Sequence, residues 1–265
     1  MAKLDGTPVS RLSELSRAFP VQLITPRSYE LLTAGPKYRR RILYWGLFHV
    51  EHSFLDVYRR FAKGLAQRNA ALRSGKRNDE IKVWSMQIAS ASAEIFQYAT
   101  AYVNDLRSIL LPLLTQLLPG YDFDLEYKPG WDTNNKLLDS LVKTIEKDRE
   151  IGYTRIGPQR ADIRLRINDH SLDGFASNGQ QKLIVFALLL SQLIQYKNRF
   201  QVSPVLLLDD FAAELDKASQ KKVLATVDSA AVQCMATGLS IPDILESAAK
   251  VFHVEHGVFH DTERE

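Results

Sequence analysis

The sequence predicts an α/β fold into which a helical arm is inserted, and three observations carry that expectation. Residues 205–208 are a short, fully apolar run that stops at Asp209 and Asp210. A buried strand of a parallel sheet has this form, with carboxylates at its C-terminal end. Residues 151–265 read as strand, loop, helix, strand, helix, strand, the order of an α/β domain. Residues 51–118 keep apolar side chains at helical spacing over two long stretches. The expected division is a head built from residues 1–50 and 119–265, with the arm, residues 51–118, between them.

Along the chain, residues 21–25 are apolar and β-branched and end at Pro26, which predicts a short buried strand. In residues 51–73, Phe54, Leu55, Tyr58, Phe61, Ala62 and Leu65 mark one helix face, and Ser74-Gly75-Lys76 breaks it. In residues 78–118, Ile81, Trp84, Ile88, Ile95, Tyr98, Tyr102, Leu106, Ile109 and Leu113 mark a second, with Pro112 placed to kink its end. Two such helices joined by a short turn make an antiparallel hairpin, and periodicity does not say whether it is a plain helical subdomain or a DNA-contacting arm. Residues 121–127 then alternate apolar and acidic side chains as a half-exposed strand does, and Pro129-Gly130 signals a turn. Residues 137–150 form an amphipathic helix with Leu138, Leu141, Val142 and Ile145 inward. Residues 162–167 alternate Ile163, Leu165 and Ile167 against Arg164 and Arg166, as an edge or solvent-facing strand would.

With 45% hydrophobic and 25% charged residues, the chain sits in the ordinary soluble range and is long enough to bury a core. The N-terminus has no apolar stretch behind its charges, and the longest apolar run, residues 183–194, is too short to span a bilayer. A single cysteine, Cys234, allows no internal disulfide and fits a reducing cytoplasm. The net charge of +3 hides an asymmetry: residues 1–77 hold fifteen Lys or Arg against five Asp or Glu, and the remainder nineteen against twenty-six. The basic excess includes Lys37, Arg39, Arg40, Arg41, Arg59, Arg60 and Arg68. Such a bias suits a polyanion such as DNA, and equally a solvated helix face.

Two segments carry chemistry. Ser177-Asn178-Gly179-Gln180-Gln181-Lys182 precedes the apolar helix 183–194, so Ser177 caps a helix whose first amides face outward. At the end of residues 205–208, Asp209 can hold Mg²⁺ directly or through water, and Asp210 can orient or deprotonate an attacking water. Ala213-Glu214-Leu215-Asp216 adds an acidic turn. A nuclease or other metal enzyme built on Asp209 and Asp210 lacks the further His and acid clusters such sites need, because His49, His52, His253, His256 and His260 are scattered.

Ser177 to Lys182 resembles the signature loop of ABC-type P-loop ATPases of the chromosome-maintenance and repair kind; residues 206–210 resemble their Walker B strand, and residues 213–216 their D-loop. Within that superfamily the resemblance is to RecF. It rests on Gly35-Pro36-Lys37-Tyr38-Arg39-Arg40, Trp45-Gly46-Leu47-Phe48-His49, Gln67-Arg68-Asn69-Ala70-Ala71-Leu72-Arg73 and Gly157-Pro158-Gln159-Arg160-Ala161-Asp162, in RecF order and over nearly the whole chain. RecF proteins usually have Arg at the place of Asn178, often His at Gln159 and often Ser at Ala213. No G-x-x-x-x-G-K-[ST] is present. The family's lysine-bearing Walker A loop and N-terminal strands are expected upstream of Met1, where they would pair beside residues 205–208.

The resemblance implies an ATPase head that closes as a homodimer on ATP, the signature loop of one protomer facing the nucleotide of the other. It assigns Ser177, Asn178, Gly179 and Gln180 to that nucleotide, Asp209 to Mg²⁺, Asp210 to general base and Asp216 to the link between sites. It further implies binding of duplex DNA near single-strand gaps, with Lys37, Arg39, Arg40, Arg41, Arg59 and Arg60 as phosphate contacts, and work with RecO and RecR in recombinational gap repair, replication restart and the SOS response. ATP and Mg²⁺ are not expected to bind this chain alone. The alternative is a non-hydrolysing DNA- or partner-binding remnant of the same fold.

Overall fold

A computed structural model describes residues 3–4, 6–9, 11–172, 174–210, 215–238 and 250–261. In chain order its elements are β1 (Lys3–Leu4), β2 (Thr7–Pro8), α1 (Leu12–Ala18), β3 (Val21–Ile24), α2 (Glu30–Thr33), α3 (Pro36–Val50), α4 (Phe54–Arg73), α5 (Asn78–Leu117), β4 (Phe123–Lys128), α6 (Leu137–Lys143) and α7 (Ile145–Ile151). There follow β5 (Asp162–Ile167), β6 (His170–Ser171), α8 (Asn178–Phe200), β7 (Val205–Leu208), α9 (Lys217–Ala230), β8 (Gln233–Ala236), β9 (Phe252–Glu255) and β10 (Val258–Asp261). β1–β2 and β9–β10 are hairpins, β3-β7-β8 is a parallel sheet, and β4-β5-β6 is antiparallel.

The apolar run of residues 205–208 is a strand because it is covered. β7 is the middle strand of the parallel sheet, in register with β3 from Val21–Val205 to Ile24–Leu208 and with β8 from Val205–Gln233 to Leu208–Ala236. Both of its hydrogen-bonding ladders are filled, so the expectation that absent strands pair beside it does not hold. The sheet's outer strands are β3 and β8, and there Leu23 and Met235 are exposed. Residues 162–167 are likewise a middle strand, not an edge. Their alternation reports one solvated face: Ile163, Leu165 and Ile167 are buried while Arg164 and Arg166 point outward.

Residues 137–150 are two helices instead of one. Thr144, between α6 and α7, donates its hydroxyl to the Leu141 carbonyl at 3.3 Å and to Asp148 Oδ2 at 3.0 Å, a local alternative to the helical ladder. The break helps turn Asp148 into the protein, where it meets Arg68 of α4; both side chains are fully buried, 2.9 Å apart. Arg68 also donates to Ser85 Oγ at 2.9 Å, Thr154 Oγ1 at 2.6 Å and the Leu141 carbonyl at 2.8 Å. Asn69 Oδ1 accepts from the Thr154 amide at 2.8 Å and from its hydroxyl at 2.7 Å. The Gln67–Arg73 run is thus a clamp of α4 on α5, α6, α7 and the connector beyond them, and Arg68 does not belong to the basic surface.

The expected arm, residues 51–118, shares one core with the head. The N-terminal half of α5 packs against α4, with Ile88 near Gly64 and Ser85 on Arg68. Its C-terminal half reaches α8 and α9 through Tyr102 to Gln192 and Lys222 to the Leu117 carbonyl. One cluster therefore runs from Leu47 and Phe61 through Ile95 and Leu110 to Ile184, Leu206 and Val223. Among the described residues no helix is long and apolar enough to cross a membrane.

His49, near the end of α3, is packed among Trp45, Phe48 and Tyr196, and its Nδ1 has no hydrogen-bond partner among the described residues. Burial, assisted by the charge of Arg17, lowers its pKa from the ordinary 6.5 to about 4. A depressed pKa means that the unfolded chain takes up the proton first, so stability is full above about pH 6.5 and falls as the pH drops toward 4. Urea unfolding of the wild type should lose about 1–2 kcal/mol more between pH 7 and pH 5 than His49→Leu does. Equal slopes for the two proteins would refute the buried neutral imidazole.

Candidate functional site

The end of β7 is held by its neighbours. The Asp209 amide donates to the Ile24 carbonyl of β3 at 2.8 Å, and the Thr237 amide, just past β8, donates to the Leu208 carbonyl at 2.8 Å. Thr237 then spans the two acids: its hydroxyl donates to Asp209 Oδ1 at 2.8 Å and accepts the Asp210 amide at 3.2 Å. Asp210 has φ of +49°, a left-handed conformation that turns the chain at the sheet edge and that Asp tolerates better than most residues. Both carboxylates are exposed. Neither has a cation partner among the described residues.

The signature segment is a helix start. Ser177 caps α8 with a reciprocal capping box: its Oγ accepts the Gln180 amide at 3.3 Å while Gln180 Oε1 accepts the Ser177 amide at 2.8 Å. Gln180 Nε2 donates to the Tyr121 hydroxyl at 2.8 Å, which ties the cap to the strand side of the molecule. Asn178 and Gly179 are exposed, with open space where a Gly179 Cβ would stand. The amides of a helix's first turn have no intrahelical acceptor, so they are available to an anion. α8 has 23 residues, about 34 Å, and residues 201–204 turn the chain back into the four-residue β7, about 13 Å.

Asp216 is the N-cap of α9. Its carboxylate accepts the Ser219 amide at 2.8 Å and the Ser219 hydroxyl at 2.9 Å, bonds that hold its pKa below the usual carboxylate range. Ala213 and Glu214 lie outside the described residues. Cys234, in β8, is partly buried, and burial pushes its thiol up to about 11, a poor nucleophile at neutral pH.

The donor set suits Mg²⁺ and a polyphosphate in part. Mg²⁺ is commonly held by one or two carboxylates with phosphate oxygens and water completing the shell, and Asp209 and Asp210 offer that much. No group of three or more His, Cys, Asp and Glu poised for a metal occurs among the described residues. Thr237 and Tyr121 stand beside the expected site residues. Their bonds join positions 28 and 59 residues apart in the chain, a pairing that no local pattern announces.

The basic residues differ in what they touch. Arg39 is turned inward: Nε and Nη2 bond Asp162 at 2.8 and 2.9 Å, and Nη1 donates to the Leu32 carbonyl at 2.8 Å. Its expected phosphate contact is corrected on that ground. The Asp162 carboxyl sits below its usual pKa; burial pushes it up, but the hydrogen bonds and charges of Arg39 and Arg164 outweigh this. Arg59 pairs with Asp56 at 3.2 Å and Arg60 with Glu94 at 2.9 Å, both on exposed helix faces. Lys37 and Arg41 are exposed, and Arg40 donates to the Ala161 carbonyl at 2.8 Å.

No family model matches the chain. Among curated proteins it is 35% identical over 259 residues to the DNA replication and repair protein RecF of Vibrio cholerae O1 El Tor Inaba N16961, covering 97% of this chain and 71% of that one. It is 36% identical over 269 residues to the same protein of Pseudomonas aeruginosa LESB58, covering 98% and 72%. Solved structures of the recombination mediator protein RecF in the RecFOR pathway superpose with a TM-score of 0.84 at 21% identity for RecF-ATP and 0.83 at 22% for RecF-ATPrS, each covering 98% of this chain and 72% of that one. The fold is that of an ABC-type ATPase head with its helical arm, and at this identity and coverage the chain belongs to the RecF family of DNA replication and repair proteins.

Proposed function

We propose that this RecF-family chain acts in recombinational gap repair, replication restart and the SOS response as a cytoplasmic DNA-binding protein that pairs with a second copy when ATP and Mg²⁺ are present. The observation that carries the proposal is the joint presence, in this fold, of a capped helix with open first-turn amides and a carboxylate pair at the end of a central strand. Bound Mg²⁺ would neutralise charge on the phosphates. Asp209, oriented by Thr237, would hold the ion, while Asp210 would accept a proton from the attacking water at its carboxylate. The Ser177 hydroxyl has its proton free to donate while its oxygen receives the Gln180 amide; with the Asn178 and Gly179 amides it would bind the partner protomer's nucleotide. Asp216 would join the two sites. Lys37, Arg40, Arg41, Arg59 and Arg60 would contact phosphate, and RecO and RecR are the proposed partners.

A second reading has its own observation. The sequence contains no phosphate-binding loop, so a non-hydrolysing DNA- or partner-binding role is retained as the alternative. ATP turnover and sedimentation of the 265-residue chain, alone and fused to the N-terminal segment of the Vibrio cholerae relative, separate the two. The fusion should hydrolyse ATP, Asp210→Asn in it should cut turnover at least about 100-fold with ATP-driven dimerisation kept, and Ser177→Ala should impair dimerisation. A fusion that dimerises on ATP without turnover favours the alternative. Normal turnover in Asp210→Asn removes the general-base assignment.

A further inference from the structure

The Gln180 carboxamide makes two bonds at the start of α8, and capping the helix needs only the first. Its Oε1 accepts the Ser177 amide at 2.8 Å, which closes the capping box. Its Nε2 donates to the Tyr121 hydroxyl at 2.8 Å, across 59 residues of chain. The direction of both bonds is fixed. A backbone N–H can only donate, so Oε1 must face Ser177 and Nε2 is left to the phenol oxygen.

Tyr121 is a rigid point in this pair. Its half-buried ring packs against the core. On one side of it in the chain, the Leu117 carbonyl at the end of α5 accepts from Lys222 of α9 at 3.2 Å. On the other, Asp122 and Asn168 exchange two bonds: the Asp122 amide donates to Asn168 Oδ1, and the Asn168 amide donates to the Asp122 carbonyl, each at 2.8 Å. A glutamine at the exposed start of a helix would otherwise sample several rotamers. Held at both ends of its carboxamide, Gln180 keeps one. Ser177 and the open first-turn amides of Asn178 and Gly179 are then ordered before a ligand arrives, which removes a cost that binding would otherwise carry.

We propose that Tyr121 is a positioning residue for the signature cap: through Gln180 it fixes Ser177 in the arrangement that receives a polyphosphate nucleotide from a second copy of the chain. This role rests on the reading of α8 as a nucleotide-facing helix, and it adds to that site a residue from outside the signature segment.

The test has two arms. Hydrogen exchange at the Ser177 amide of the 265-residue chain, followed by NMR, reports the cap without nucleotide. Tyr121→Phe keeps the ring and loses the acceptor, so it should speed that exchange about 3–10-fold while amides in the middle of α8 exchange as in wild type. Faster exchange throughout α8 would make the effect a general loss of stability and overturn the proposal. The second arm uses the fusion to the N-terminal segment of the Vibrio cholerae relative. There Tyr121→Phe should raise the ATP concentration for half-maximal dimerisation about 3–10-fold. Turnover at saturating ATP should stay within about 2-fold of wild type, because Asp209 and Asp210 are untouched. Gln180→Ala should weaken dimerisation at least as much, and adding Tyr121→Phe to it should change nothing further. Additive effects would mean that Tyr121 acts by another route. Unchanged exchange, or faster exchange with an unchanged dimerisation midpoint, also overturns the proposal and leaves the nucleotide reading standing. A wild-type fusion that does not dimerise on ATP removes that reading and the role of Tyr121 with it.

Discussion

Arg68→Met is expected to lower the free energy of unfolding by about 3–5 kcal/mol, the cost of stranding one member of a fully buried ion pair. The loss is large because of what remains behind. Asp148 would keep Arg155 at 3.1 Å and the Thr144 hydroxyl at 3.0 Å, but would lose its buried cation, and Ser85, Thr154 and the Leu141 carbonyl would each lose a donor. Arg68→Lys should do little better, since a point charge cannot donate in the four directions that the guanidinium serves. The double variant Arg68→Met with Asp148→Leu should recover a substantial part of the loss, because neither charge is then left alone. Urea titrations of the three proteins measure this. A single variant within about 0.5 kcal/mol of wild type would show that the clamp does not hold the α4–α5 hairpin to the connector.

Gly46→Ala should also destabilise, against helix propensity. Ala in a helix interior is favoured over Gly by about 1 kcal/mol, so at an open position the change would help. Here a Cβ would fall within the ring of Tyr102 and 2.8 Å from Gln192 Nε2. The ring cannot retreat cheaply. Gln192 Nε2 bonds the Tyr102 hydroxyl at 2.6 Å and the Ile42 carbonyl at 2.9 Å, while its Oε1 accepts from Gln22 Nε2 at 2.9 Å, all within the core. Overpacking costs about 1–3 kcal/mol, and unmaking a buried hydrogen bond about as much again. We expect a net loss of about 2–4 kcal/mol, or a Tm lower by about 5–15 °C. An unchanged or higher Tm would mean that α3 can shift away from α5 freely.

The residues that the family resemblance selected carry both kinds of work. Gly46, Arg68, Asn69 and Arg39 pack and pair inside the protein, whereas Ser177, Gly179, Asp209 and Asp210 face solvent. Motif order alone cannot separate these groups. The Gln67–Arg73 run looks basic when written out, yet Arg68 is fully buried and Arg73 exposed, a difference that helix phase and the position of Asp148 decide.

By itself the sequence determined what local chemistry can specify. The apolar run of residues 205–208, the Ser177-to-Gln180 cap and the helical periodicity of α4 and α5 each depend on neighbours within a few turns, and each was legible. The tertiary structure alone decided which strands flank β7, that β5 is central, that Thr144 splits a helix to turn Asp148 inward, and that Thr237 and Tyr121 attend the site residues. It also decided which arginines turn inward to buried carboxylates. The physical reason is the same in each case: a long-range partner satisfies a buried or charged group, and such a partner leaves no periodic trace in the chain that needs it.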